Sequence, residues 1–352
     1  MADGNVHTAW IYFSNASGHQ CEPRVTQHVL VSSPAVNAAM AIDFTSYTYM
    51  HWAPVFLNFD VTYPSGYEGD TPPTSSPHAA YVAMGDSFSS GEGNPPFEMG
   101  TDTSYNQCHR SSASYPRLFQ EDMEFDSMSF VACSGATTGD VRNGKDSEVS
   151  QLDALSEETE VVTITIGGND IKFKDFATTC VFGGPFDQCD DESDVYEESW
   201  DIMTNSSRGD YLPDALTELF QDIADKLTTN NGAVRVYVMG YPYVLTGLSY
   251  LSDSLLEPRC DYLTLGEAMA AEAIVEKLDS VISTAVSNFM DYRFQYVDPT
   301  DSPGHFAGTE ICTVDGYFNG IDEGLIDQAY TFHPNANGQL AYKEVLTDFI
   351  SQ

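Results

Sequence analysis

Four short stretches carry residue types that, brought together, could attack a carbonyl group and hold the product of the attack. The first, Gly85-Asp86-Ser87-Phe88-Ser89-Ser90-Gly91-Glu92-Gly93, ends an apolar run, Tyr81–Met84, and puts a serine at the turn that follows. The second, Cys133-Ser134-Gly135-Ala136-Thr137-Thr138, is built of small residues whose backbone N–H groups can approach a ligand closely. The third, Gly167-Gly168-Asn169-Asp170, offers the side-chain amide of Asn169, and the fourth, His333-Pro334-Asn335, supplies an imidazole. A serine hydroxyl is a poor nucleophile until a base takes its proton, and an imidazole titrating near neutrality can do so. The tetrahedral intermediate then needs preorganised donors at its oxyanion, each worth about 3–4 kcal/mol on removal. Ser87 N–H, Gly135 N–H and the Asn169 amide are the candidates. The plainer alternative is a strand with a Ser-capped turn after it and a histidine that merely caps a helix.

Such a set works only on a scaffold that brings distant loops to one edge. From Tyr81 onward, apolar β-rich runs at Tyr81–Met84, Met128–Ala132, Val161–Ile166, Val234–Met239 and Phe294–Val297 alternate with helical patterns. The clearest helix runs from Leu265 to Met290, where Ile274, Leu278, Val281, Ala285 and Phe289 share one face. A last helix follows Pro334, with Ala341, Val345 and Phe349 on a stripe and Asn335 or Asn337 near its start. The strands are nearly continuous apolar runs, which implies burial on both faces and hence a parallel sheet between layers of helices. With right-handed crossovers the loops after successive strands open on one edge, so the four stretches can converge. Residues 183–210, rich in Gly, Asp, Glu and Ser, read as a long surface insertion that could border the cleft.

Residues 1–70 differ from the rest: β-leaning runs such as Trp10–Phe13, Val29–Val31 and Val55–Val61 carry no helical period, which marks an N-terminal extension or small β module. The polar, proline-rich stretch at 71–78 reads as a linker, leaving 79–352 as the main domain. His7, His19, His28, His51 and His78 fall in the extension or linker and are assigned surface or packing roles. His109 and His305 are assigned structural roles, and Asp86 and Asp170 are expected to brace their loops by accepting backbone hydrogen bonds.

The charge excludes some partners. With 14 Lys+Arg against 53 Asp+Glu the formal charge is −39, a field that repels phosphate backbones, so nucleic-acid binding is not expected. No apolar run is long enough to span a bilayer, and Met1-Ala2-Asp3-Gly4 shows no export signal. Seven cysteines without CxxC spacing or a His-rich cluster argue for disulfides over zinc, with no metal and no cofactor expected. That points to an exported protein whose signal has been removed. Six cysteines allow 15 pairings, between which the residues alone do not choose.

Taken together, the four blocks resemble the SGNH, or GDSL, hydrolase family over about residues 79–352. The chain is most similar there to the secreted actinomycete-type lipases and esterases, through GDSFSSGEG at 85–93, CHRS at 108–111, ACSGATT at 132–138 and TIGGND at 165–170. The resemblance implies a three-layer α/β/α, flavodoxin-like fold on a five-stranded parallel sheet. It implies Ser87 as nucleophile, His333 as base, and Ser87, Gly135 and Asn169 as oxyanion donors. It also implies sequential disulfides, Cys108–Cys133, Cys180–Cys189 and Cys260–Cys312, leaving Cys21 over. The activity implied is cleavage of carboxylic esters of small-molecule, lipid or sugar type. A carbohydrate deacetylase or phospholipase using the same site is the alternative, and a catalytically dead binding module the third reading. The sequence departs from the family in one place: the Asp-x-x-His block would put an aspartate at position 330, which is Tyr330. A main-chain carbonyl at Tyr330 is the expected partner of the imidazole, with Asp327 as the rival.

Self-repulsion at a charge of −39 is screened by salt. The melting temperature is therefore expected to rise between low salt and molar NaCl, a shift that calorimetry at matched pH reads directly.

Overall fold

The computed structural model describes residues 80–182, 191, 193–228, 234–247, 264–300, 305–311, 313, 315–320 and 330–351, together with four short strands before residue 31. The chain divides into two compact units, Met1–Thr74 and Ser75–Gln352. In the first unit, β1 (Val6–Thr8) pairs antiparallel with β4 (His28–Leu30), and β2 (Phe13–Ser14) with β3 (Gln20–Cys21). The run Val55–Val61 and the 71–78 linker lie outside the described residues.

The second unit is built on a five-stranded sheet of β5 (Ala80–Gly85), β6 (Ser127–Phe130), β7 (Thr159–Thr165), β8 (Arg235–Met239) and β9 (Phe294–Val297). The spatial order is β6-β5-β7-β8-β9 and every pairing is parallel. Successive strands move one way from β5 to β6 and the other way from β6 to β7, so right-handed crossovers place the connecting helices on opposite faces. Accordingly α2 (Tyr115–Met123) packs against α8 (Ala336–Ile350), while α3 (Thr138–Asn143), α6 (Leu212–Lys226), α7 (Leu265–Phe289) and α5 (Asp194–Thr204) pack in succession. Tyr115 stacks on Tyr342 in the first group, and Phe220 meets Phe289 and Phe294 in the second. The central strands are buried along both faces, as their unbroken apolar runs require.

The long helix and the last helix stand where their apolar stripes place them. Thr264 caps α7 through a reciprocal box with Glu267. Asn335 caps α8 by accepting the N–H groups of Asn337 and Gly338. The reading of 183–210 as an insertion needs correcting in its second half. Asp194–Thr204 is a helix capped by Ser193, with Ile202 and Met203 buried and Trp200 stacked on Tyr196. Its apolar residues fall at 195, 196, 200, 202 and 203, a helical stripe that the acidic residues between them obscure. Residues 183–190 lie outside the described residues.

At the carboxyl end of β5 the chain leaves the sheet through Gly85, whose φ of +117° suits glycine alone. A Cβ there would also collide with the Thr165 carbonyl of β7. Gln151, fully enclosed, clamps this point by accepting from Gly85 N–H (2.7 Å) and donating to Gly85 C=O (2.9 Å). Asp86 N–H donates to Thr165 C=O at 3.0 Å, so the turn is stitched to the neighbouring strand as it begins.

Candidate active site

Ser87 opens α1 (Ser87–Ser90), a single turn capped at its start by the Asp86 carboxylate on Phe88 N–H and at its end by Gly91 in the left-handed region. Ser134 and Gly135 follow β6, and Gly135 takes φ +74°. Gly168 and Asn169 follow β7. One hydrogen of the Asn169 amide goes to the Ala136 carbonyl at 3.0 Å. That bond ties the second and third loops and leaves the other N–H to project elsewhere. His333 ends a tight turn in which its N–H donates to Tyr330 C=O at 3.2 Å, with Phe332 at φ +69°. Ser87, Gly135, Asn169 and His333 all line one cavity of about 370 Å³. The volume lies in the range of ligand pockets, and the site sits beside β5 and β7, where the strand order reverses. Asp327 lies outside the described residues.

The remaining sequence expectations divide. Cys108–Cys133 is a disulfide, joining the loop after Gly91 to the Gly135 loop. Cys180–Cys189, Cys260–Cys312 and the Cys21 thiol lie outside the described residues. Asp170 accepts from the Thr138 N–H (3.1 Å) and hydroxyl (2.6 Å), bracing the Gly135 loop from the Asn169 loop. His109 is structural: its Nδ1 meets the buried Glu92 at 2.8 Å and its ring stacks on Phe97. His305 is held at the surface by Asp348 and Glu344.

The sequence profile of the GDSL-like lipase/acylhydrolase family matches residues 83–341. The chain belongs to this family. With it goes its class: the protein is a carboxylic ester hydrolase. It is 32% identical over 278 residues to Lipase 1 of Streptomyces coelicolor, spanning 76% of this chain and 86% of that one. Among solved structures it is similar to a phospholipase A1 from Streptomyces albidoflavus (31% identity, TM-score 0.61). It is likewise similar to an extracellular lipase from Streptomyces rimosus (28% identity, TM-score 0.60). Each alignment covers 77% of this chain and 99% of the relative.

What holds this GDSL hydrolase's site together includes residues absent from the sequence reading. Tyr241, in the loop after β8, donates its hydroxyl to Asp86 Oδ2 at 2.5 Å and accepts from Gly168 N–H at 3.1 Å. Its own N–H is held by Asp279 of α7 at 2.8 Å. Asn94 donates to the Gly91, Glu92 and Pro334 carbonyls, joining the serine segment to the histidine loop. Gln339, wholly buried in α8, accepts from Tyr115 N–H and donates to Phe88 C=O. Asn319 closes the other side, accepting from Phe332 N–H and donating its own N–H to His333 C=O. One signal was available for Tyr241: the β8 loop opens on the same edge as the other three. Asn94 and Gln339 carry no such signal, because their partners lie 240 and 224–251 residues away.

Burial dominates the electrostatics. Desolvation raises Asp86 from 3.8 to about 7, against the lowering effect of the Tyr241 and Phe88 hydrogen bonds. Desolvation likewise raises Asp170 to about 6 and pushes Asp279 well above the usual carboxylate range. Asp86 thus holds its proton to about 7 when folded and releases it near 3.8 when unfolded. The folded state binds more protons across that window. The contribution of Asp86 to stability is complete below the unfolded value and is lost as pH rises through about 7. In urea titrations at pH 4 to 8, Asp86→Asn is expected to decline less steeply with rising pH than the unsubstituted enzyme. An equal slope would remove Asp86 from the pH dependence.

Proposed function

We propose that the protein is an exported serine esterase or lipase that works through an acyl-enzyme on Ser87. The observation that carries this is the convergence of Ser87, Gly135, Asn169 and His333 on one cavity. Val244, Val275 and Leu278 line the same space and suit an acyl chain. Ser87 Oγ attacks the ester carbonyl while His333 takes its proton. The oxyanion is held by Ser87 N–H, Gly135 N–H and the Asn169 amide. Collapse of the intermediate expels the alcohol, which takes the proton from His333. Water then repeats the sequence on the acyl-enzyme and restores the serine. Asp86 and Asp170, both engaged in loop hydrogen bonds, take no part in proton transfer.

In this reading the imidazole is oriented by a main-chain carbonyl, that of Tyr330, which the turn already holds against the histidine backbone. Export is supported by the Cys108–Cys133 disulfide and by the extracellular relative from Streptomyces rimosus. Among the described residues no helix is long and apolar enough to cross a membrane. The division into an extension at 1–70, a linker at 71–78 and a hydrolase domain at 79–352 belongs to the same proposal. The substrates are small-molecule or lipid esters, and the phospholipase relative keeps glycerophospholipids among them.

Ser87→Ala is expected to lower turnover of a short p-nitrophenyl ester by at least about a thousandfold while leaving the melting temperature in place. A serine-directed phosphonate should label the parent enzyme at Ser87, read by peptide mass spectrometry, and ordinary turnover by Ser87→Ala would sink the assignment. Asp327→Asn is expected to keep kcat/KM within about threefold, whereas loss of a carboxylate that orients the base costs about 10⁴-fold; a drop of that size would transfer the role to Asp327.

A further inference from the structure

Cations are scarce in this chain, and their placement is informative. Among the described residues nearly every lysine and arginine is already taken up. Most meet a carboxylate, as in Arg110–Glu148 and Lys343–Asp122. Arg235 and Lys277 stand over the rings of Tyr292 and Trp200. Two remain without a carboxylate or ring among the described residues, Lys145 and Lys174; the second lines the cavity that holds Ser87, and the first lies against Gly135, one of that cavity's wall residues. Lys174, exposed on α4 (Phe173–Phe182), lines that cavity directly. Lys145 lies against Gly135, its Cε and Nζ 3.5 and 3.8 Å from where a Cβ on that glycine would be.

Neither lysine forms an ion pair with the exposed aspartate that follows it, Asp146 or Asp175, and three carboxylates of the loops around the cavity are engaged elsewhere. Asp140 closes the capping box with Thr137, Asp170 is bound to Thr138, and Asp86 to Tyr241 and Phe88. With 53 acidic residues in the chain, two ammonium groups without an ion pair, one lining this cavity and one against its Gly135 wall, contribute a positive field there in an otherwise anionic envelope. A cleft concentrates such a field on a ligand.

We propose that Lys145 and Lys174 form a subsite for an anionic group on the alcohol part of the ester, of the phosphate-diester type. This deepens the ester-hydrolase reading and rests on it. The acyl chain is matched by the apolar walls and the carbonyl oxygen by the oxyanion donors, which leaves the alcohol part to face the ammonium groups. The same charge balance sets the physical form of the substrate. A surface of −39 repels an anionic bilayer, so the anionic ester is taken as a dispersed molecule.

The test compares kcat/KM for dihexanoyl glycerophosphocholine, below its micelle concentration, with that for dihexanoylglycerol, in the parent enzyme and in Lys145→Gln/Lys174→Gln. The ratio of the two constants is expected to fall about tenfold or more in the double variant, and less in each single one. Lys145→Arg/Lys174→Arg, which keeps the charge, should restore most of the ratio. A ratio that does not move, or that the arginine variant fails to restore, overturns the proposal. A second measurement separates it from the reading beneath it. In a Ser87→Ala background, calorimetric titration with dihexanoyl glycerophosphocholine should show binding that the two glutamines weaken by a similar factor. If the parent hydrolyses neither ester, the esterase reading falls while this titration still decides the subsite, and equal affinity with and without the lysines refutes it.

Discussion

The hydrogen bond from Tyr241 to the buried Asp86 carboxylate fixes the relation between the loops on which the site depends. Asp86 caps the turn that presents Ser87, and the same tyrosine oxygen receives Gly168 N–H from the loop that presents Asn169. Ser87 and Asn169 are therefore set against each other by one enclosed oxygen and not by two independently flexible loops. Catalysis of acyl transfer rewards such rigidity, because donors that need not reorganise stabilise the developing charge most. The arrangement has a cost in stability, visible in the desolvation that lifts Asp86 to about 7.

Beneath that bond lies the backbone of the sheet edge. Gly85 leaves β5 with a conformation and a closeness to Thr165 that only a glycine tolerates, and Gln151 satisfies both of its peptide groups. Ser89 then bonds Thr165 and Tyr115, so the turn after Ser87 is anchored to β7 and α2 together. The serine is buried, and its position is inherited from strand pairing through a short, fully bonded path.

The fold was legible where periodicity and burial act locally. The five apolar runs became five parallel strands within a few residues of their expected bounds, and the α7 stripe Ile274, Leu278, Val281, Ala285 lies in the core. The four chemical blocks were legible because each occupies one continuous loop, and the topology brings consecutive loops to one edge. The helix at Asp194–Thr204 was hidden because an acidic solvent face dilutes its stripe. Tyr241, Asn94 and Gln339 were hidden for another reason: their roles are defined by partners far away in the chain, and a lone polar residue carries no mark of whom it will meet. Lys145 and Lys174 mean little as sequence positions and acquire meaning only when the other cations among the described residues are seen to be paired.

The ties made by Asn94 and Gln339 also bear on when the enzyme becomes competent during its synthesis. Both reach from the serine segment to residues 334–339, so the sheet edge that carries Ser87 can be complete while His333 still has nowhere to sit. A chain emerging from its amino end would hold Ser87 apart from His333 until the final helix docks. In the proposed mechanism activity is thereby deferred to the last stage of folding, and the ester hydrolase stays inert for as long as that helix is withheld.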